Sequence, residues 1–240
     1  MANSTKNIIV GAADIFLSNT NGDSRPATKT SDLTTLFPQG ISARQGLLRS
    51  ASYREIGYTN TGFEVSYEPN YGEVVVDQLL DAARLFKQSL KVMLKTELTE
   101  ATLENLTQSW GQMDSYYVNT TGSTIAAVNT LASGTPQSSD VSGATMNMAA
   151  GALGDAPVER VLIAVGNAPA QVSSAGTSSI SRTKERVYVA RRVVSIDTTA
   201  HGLKRDAATV FPVNFRCLPD DRDVAYAGSE YGVVIDRVYA

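Results

Sequence analysis

A single cysteine, Cys217, leaves no disulfide to be formed within this chain, and a single histidine, His201, leaves no His-rich metal set and no His–His relay. No stretch approaches the ~18 uninterrupted apolar residues of a membrane helix, which argues against a membrane partner. The opening Met-Ala-Asn-Ser-Thr-Lys is not followed by a long apolar segment, so no secretory signal is read and the cytosol is the expected place of synthesis. Basic charge is not in excess either. With 21 Lys and Arg against 24 Asp and Glu, the net charge is -3. That balance argues against a domain that holds nucleic acid by neutralising phosphates, while DNA as a passing neighbour stays open. No nucleophile elbow, Walker loop, dinucleotide fingerprint or paired-Cys spacing occurs, so no catalytic residue, cofactor or metal is assigned.

What is present is enough apolar material for a core: 42% hydrophobic residues in 240, read as one domain spanning the whole chain. Asn7–Ser18 reads as a strand bent at Gly11-Ala12-Ala13. Asn19–Ser52 is polar and without period, which predicts a long loop. Gly62–Gln78 alternates on both sides of Glu68-Pro69-Asn70-Tyr71-Gly72-Glu73, which predicts a hairpin turning there. That register sets Glu68 opposite Glu73, Ser66 opposite Val75 and Glu64 opposite Asp77, with Val65, Tyr67, Val74 and Val76 on the other face. Like charges directly opposite repel, so the carboxylates either serve a function or meet counter-charges on a neighbouring strand. Phe86–Leu98 offers such charges, because its strict alternation puts Lys87, Lys91 and Lys95 on a polar side.

Thr99 is a good helix N-cap, Glu100 and Glu104 suit the first turns, and Gly111 marks a stop. Leu103, Leu106 and Trp110 then form a stripe of core anchors. Residues 112–156 read as a surface insertion with room for one short strand pair. Four more strands follow at Val158–Val165, Arg186–Ile196, Val210–Leu218 and Tyr231–Val238. The expected fold is mainly β, a β-sandwich or barrel with one packed α-helix and long loops. His201 reads as an exposed turn histidine and Cys217 as a small buried hydrophobe.

In order, the segments NIIVGAADIFLS, YREIGYTNTGFEVSYEP, VVVDQ, LKVMLKTELTEATLENLTQSWG, FPVNFRCLPDD and YGVVIDRV resemble the major tail (tail tube) proteins of long-tailed bacteriophages. The strand running from Val92 into the helix that ends at Gly111 carries most of the likeness. The long Asn19–Ser52 segment and the insertion after Gly111 depart from it. The resemblance implies a non-enzymatic structural protein of the virion tail. Its homohexameric rings stack into a tube around a tape-measure protein, meet tail terminator and tail-tip proteins, and conduct phage DNA without binding it specifically. It implies a non-contractile tail, with the contractile-tail tube as near neighbour. Under that reading Glu64, Glu68, Glu73 and Asp77 are expected to face the lumen, where carboxylates repel phosphates. Asn19–Ser52 is expected to order only on ring stacking, through Leu33, Leu36, Phe37, Ile41, Leu47 and Leu48. A monomeric β-sandwich binding or adhesion module and a hydrolase using His201 are the alternatives from other classes.

Overall fold

A computed structural model describes residues 11–18, 37, 40–50, 52–75, 77, 81–112, 117–124, 142–146, 148, 150, 153–154, 157–168, 184–196, 200–203, 205–206, 208–220 and 227–239. The elements are β1 (Asp14–Ser18), α1 (Ala43–Arg49), β2 (Tyr53–Glu55), β3 (Thr59–Val74), β4 (Arg84–Leu98) and α2 (Leu103–Ser109). They continue with β5 (Tyr117–Thr124), β6 (Ser142–Met146), β7 (Arg160–Asn167), β8 (Lys184–Ser195), β9 (Phe211–Cys217) and β10 (Gly232–Val238). The fold is mainly β, as its alternating segments predict. One antiparallel sheet runs in the order β2-β1-β7-β8-β9-β4-β3, with β10 also on β8, while β5 and β6 pair separately within the insertion.

Strand β8 decides the shape. Along one edge it pairs with β7, and along the other it is shared, by β10 over Lys184–Ala190 and by β9 over Val193–Ser195. Strands β1 and β7 are buried on both faces, which is why Val161–Val165 reads as an uninterrupted apolar run. Ile15, Leu17, Leu162, Ala164 and Ala190 face an inner core with Leu94, Leu98, Val213 and Phe215. Phe16, Val161, Ile163, Val187 and Val189 face outward and are covered by Phe37, Ala43, Leu47 and Tyr53. Each fully buried Leu, Ile, Val or Phe contributes about 1.5–3 kcal/mol, so the two-sided centre dominates stability.

The cover on the outer face corrects the reading of Asn19–Ser52 as one loop. Residues 19–36, with Leu33 and Leu36, lie outside the described residues. Within the rest, Ser42 caps α1 by accepting from the Gln45 N–H at 3.1 Å, and Leu47 is wholly buried in the subunit itself. The start of α1 is clamped from the sheet. Buried Glu185 on β8 accepts the Ala43 N–H at 2.7 Å and pairs with Arg237 of β10 at 3.1 Å. Arg237 also donates to the Ile41 carbonyl at 2.8 Å and lies over the Phe37 ring. These residues therefore dock on their own chain.

Helix α2 starts later than expected. Thr102, not Thr99, is the N-cap, accepting from Asn105 N–H at 3.2 Å. It ends as the sequence suggests: Gly111 at φ +62° closes a Schellman turn, with Gln112 N–H donating to Thr107 O and Gly111 N–H to Gln108 O.

Two outcomes follow. Leu47→Ala should destabilise the isolated subunit by about 2–5 kcal/mol in urea unfolding, whereas a segment that orders only on assembly would show no change. Burial raises the Glu185 carboxyl above its ordinary 4.5, with the Ala43 N–H and Arg237 pulling the other way. The folded state then holds this proton where the unfolded chain has released it, so the Glu185 contribution to stability falls as pH rises from 4.5 through the folded value. Unfolding of wild type and Glu185→Gln across that window should diverge accordingly, and parallel curves would contradict it.

Candidate assembly surface

Strands β3 and β4 are the longest in the chain, at 16 and 15 residues, and they pair along most of their length. Only Val92–Leu98 of β4 is also backed by β9. Beyond Val92, which stands opposite Tyr67, the two strands continue as a two-stranded arm, in which the seven β3 residues from Glu68 to Val74 span about 23 Å. A two-stranded ribbon is marginal in water by itself. This one nevertheless exposes Tyr71, Val74, Leu85 and Phe86, with Tyr67 exposed at its base. At the base of the arm, a cleft of about 300 Å³ separates Val65, Tyr67 and Val92 from Tyr188, Val233 and Val234 of the opposing layer. Apolar surface on a thin projecting element marks an interaction surface more often than a solvated ornament.

The expected turn at Glu68–Glu73 is absent, because those residues lie inside continuous β3. The Asn70-Tyr71-Gly72 stretch is taken up by a register shift between Asn70 and Tyr71, and the chain reverses after Val74. The carboxylates consequently do not face one another. Glu64 stands opposite Lys95, Glu68 opposite Lys91 and Glu73 opposite Leu85, while Asp77 is exposed in the connection. In one unbroken strand, alternation also puts Glu73 on the face opposite to Glu64 and Glu68. Ser66 donates to Glu68 at 2.7 Å, and Lys87 donates to the Tyr67 hydroxyl at 3.2 Å. The repulsive cluster that motivated a lumen-facing acidic strip is replaced by opposite charges across a ladder, each exposed pair stabilising by only about 0.2–1 kcal/mol.

The helix anchors are partly corrected. Leu103, Leu106 and Trp110 are all half-buried, and of the three Leu106 packs against the inner core. The fully buried helix residues are Asn105, Thr107, Gln108 and Ser109. Asn105 fastens α2 to the β2–β3 connection, with Nδ2 donating to Ile56 O and to Glu100 O, each at 2.9 Å, and Oδ1 accepting from Arg54 at 3.3 Å. Trp110 ends the helix with its ring 6.0 Å from that of His201, which meets Phe211 edge-on at 4.8 Å. His201 is therefore half-buried among aromatics, not an exposed turn residue. Cys217 is buried in the inner core as expected, and burial pushes its thiol up to about 12, so at neutral pH it is protonated and a poor nucleophile. Among the described residues no three His, Cys, Asp or Glu side chains converge on a metal position.

Thermal unfolding should rank these helix residues. Asn105→Ala orphans buried carbonyls and should cost roughly 2–3 kcal/mol. Leu103→Ala should cost under about 1 kcal/mol, since little apolar area is lost. The reverse order would show that the apolar stripe, not the buried amide, holds α2.

No protein-family model matches the chain, and no curated protein matches it. The functional reading therefore rests on the ordered segments that resemble tail tube proteins and on the geometry of the arm.

Proposed function

We propose that this chain is the tail tube subunit of a long-tailed, non-contractile bacteriophage: a structural, non-enzymatic virion protein whose hexameric rings stack into the conduit for DNA. The observation that carries the reading is the β3–β4 arm, which projects from the sheet with exposed apolar side chains and an outer edge that no described strand covers. Such an edge is a template for another chain, and a soluble monomer would ordinarily blunt it. Contacts between unlike surfaces of identical copies propagate, and where the rotation closes they form a ring.

The remaining partners follow from the same reading. A tape-measure protein occupies the lumen during growth, terminator and tip proteins cap the two ends, and DNA passes through during ejection. The net charge of -3 suits a wall that does not retain phosphates. The proposal does not depend on an acidic strip at Glu64, Glu68, Glu73 and Asp77, whose neighbours in the ladder include lysines.

A second reading, a monomeric binding module, is favoured by one observation, the apolar cleft of about 300 Å³ at the base of the arm, which matches the lower end of ligand-pocket sizes. Negative-stain microscopy of the purified protein separates the two. Rings or hollow tubes are expected, and a population that remains monomeric at every concentration tested would favour the binding module.

A further inference from the structure

The backbone hydrogen bonds determine which groups of the open edges point outward. Leu218 N–H donates to Arg192 O at 2.8 Å and Ile196 N–H to Asn214 O at 3.3 Å, so even-numbered residues of β9 bond to β8 and odd-numbered ones to β4. The β4·β9 register, with Val92 opposite Cys217 and Leu94 opposite Phe215, then turns the even residues of β4 toward β9 and the odd ones toward β3. Lys91, Met93 and Lys95 accordingly bond to Glu68, Ser66 and Glu64. Phe63, Val65 and Tyr67 are left with N–H and C=O directed to the outer edge. Pro69, next in that series, has no N–H to offer there and interrupts the donor row before Tyr71.

Strand β10 is treated the same way. Arg191 N–H donates to Tyr231 O at 3.2 Å, so Tyr231, Val233, Ile235 and Arg237 face β8. Val234, Asp236 and Val238 present their N–H and C=O to the other edge, which no described strand occupies. The third edge of the large sheet, β2, has three residues and is held by α2 through Arg54 to Glu104 and Asn105. Besides the β4 side of the arm, which has no second neighbour, two open edges of useful length remain in the large sheet among the described residues, each with three successive outward donor positions over five residues. Beside them, Val65, Tyr67, Val234 and Val238 are 44%, 61%, 60% and 64% exposed in the single subunit.

Resting on the tail tube reading, we propose that the seam between neighbouring copies is a β-ladder in which the β3 edge of one copy, Phe63–Tyr67, pairs with the β10 edge of the next, Val234–Val238, centred on Val65 opposite Asp236. The occupant of each edge is a second copy of this chain. The edges complement one another in length and in hydrogen-bonding positions, and pairing them covers four exposed apolar side chains. Because β3 and β10 are different strands, the contact is heterologous and repeats from copy to copy. Pairing β3 with β3 would instead close a two-fold dimer and stop growth. Pro69 limits the ladder at one end and so restricts slippage of the register.

A mixture of two single variants, Val65→Cys and Asp236→Cys, tests the seam. Facing residues on neighbouring strands lie about 4.5–5.5 Å apart, within disulfide reach. Oxidation of the co-assembled mixture should give a disulfide-linked dimer of one chain of each kind, and neither variant oxidised alone should give it. A dimer from Val65→Cys alone would overturn the proposal in favour of β3–β3 pairing. Rings in the microscope without any cross-link would overturn the seam while leaving the tail tube reading intact, and absence of rings in the wild-type protein would remove both.

A proline pair supplies a second readout. Val65→Pro removes an outward N–H and should leave subunit melting nearly unchanged while blocking rings. Ser66→Pro removes an N–H that β4 uses and should lower the melting temperature. Normal ring formation by Val65→Pro would contradict the seam.

Discussion

Strand β8 must serve three neighbours with two edges, and the molecule is arranged around that constraint. Because β10 and β9 share one edge in succession, the sheet divides where one gives way to the other. From that point β9, β4 and β3 continue as one layer, and β8 with β10 continues as another, with the inner core between them. The junction is close-packed. Gly232 opens β10 at φ +151°, and a Cβ there would collide with the Val189 carbonyl oxygen, so a side chain is excluded. Nearby, Arg192 holds Glu159 with two hydrogen bonds and donates to Pro219 O at 2.8 Å, which fixes the chain as it leaves β9.

The division explains what is left open. The outer face of β1, β7 and β8 is covered by α1 and its Glu185–Arg237 clamp, and the β2 edge is held by α2. Strand β9 ends at Cys217, opposite Val92, so the upper half of β4 loses its second neighbour and leaves with β3 as an arm. Burial is therefore complete at the centre and incomplete at the periphery. In a monomer that would be an aggregation liability. In a subunit built to repeat, the same open edges and apolar flanks set the direction of growth.

Much of this was legible in the residues. The strict alternation of Phe86–Leu98 identifies β4, and the apolar runs near 160, 187, 211 and 232 identify β7 to β10. Where the reading failed, short-range signals had two meanings. Pro69, Asn70 and Gly72 suit a turn, yet an edge strand tolerates the same residues where its N–H groups point away from the ladder and its register shifts. Helix α1 has seven residues, too few for a helical period to emerge from a polar background, and only its burial against β7 and β8 makes it a helix worth forming. The period in α2 was real but named the wrong anchor, since no apolar pattern reveals that the Asn105 amide has carbonyls waiting for it on two loops. The two open edges were not legible at all, because which strand lies outermost is decided by long-range pairing.

The proposed function depends on identical copies joining through unlike surfaces into a closed ring, and the mass of the assembled particle tests that most directly. Native mass spectrometry of the purified wild-type chain should show a closed species at six times 25.6 kDa, together with its stacked multiples. A distribution that stops at monomer, or at a two-fold dimer whatever the concentration, would contradict it.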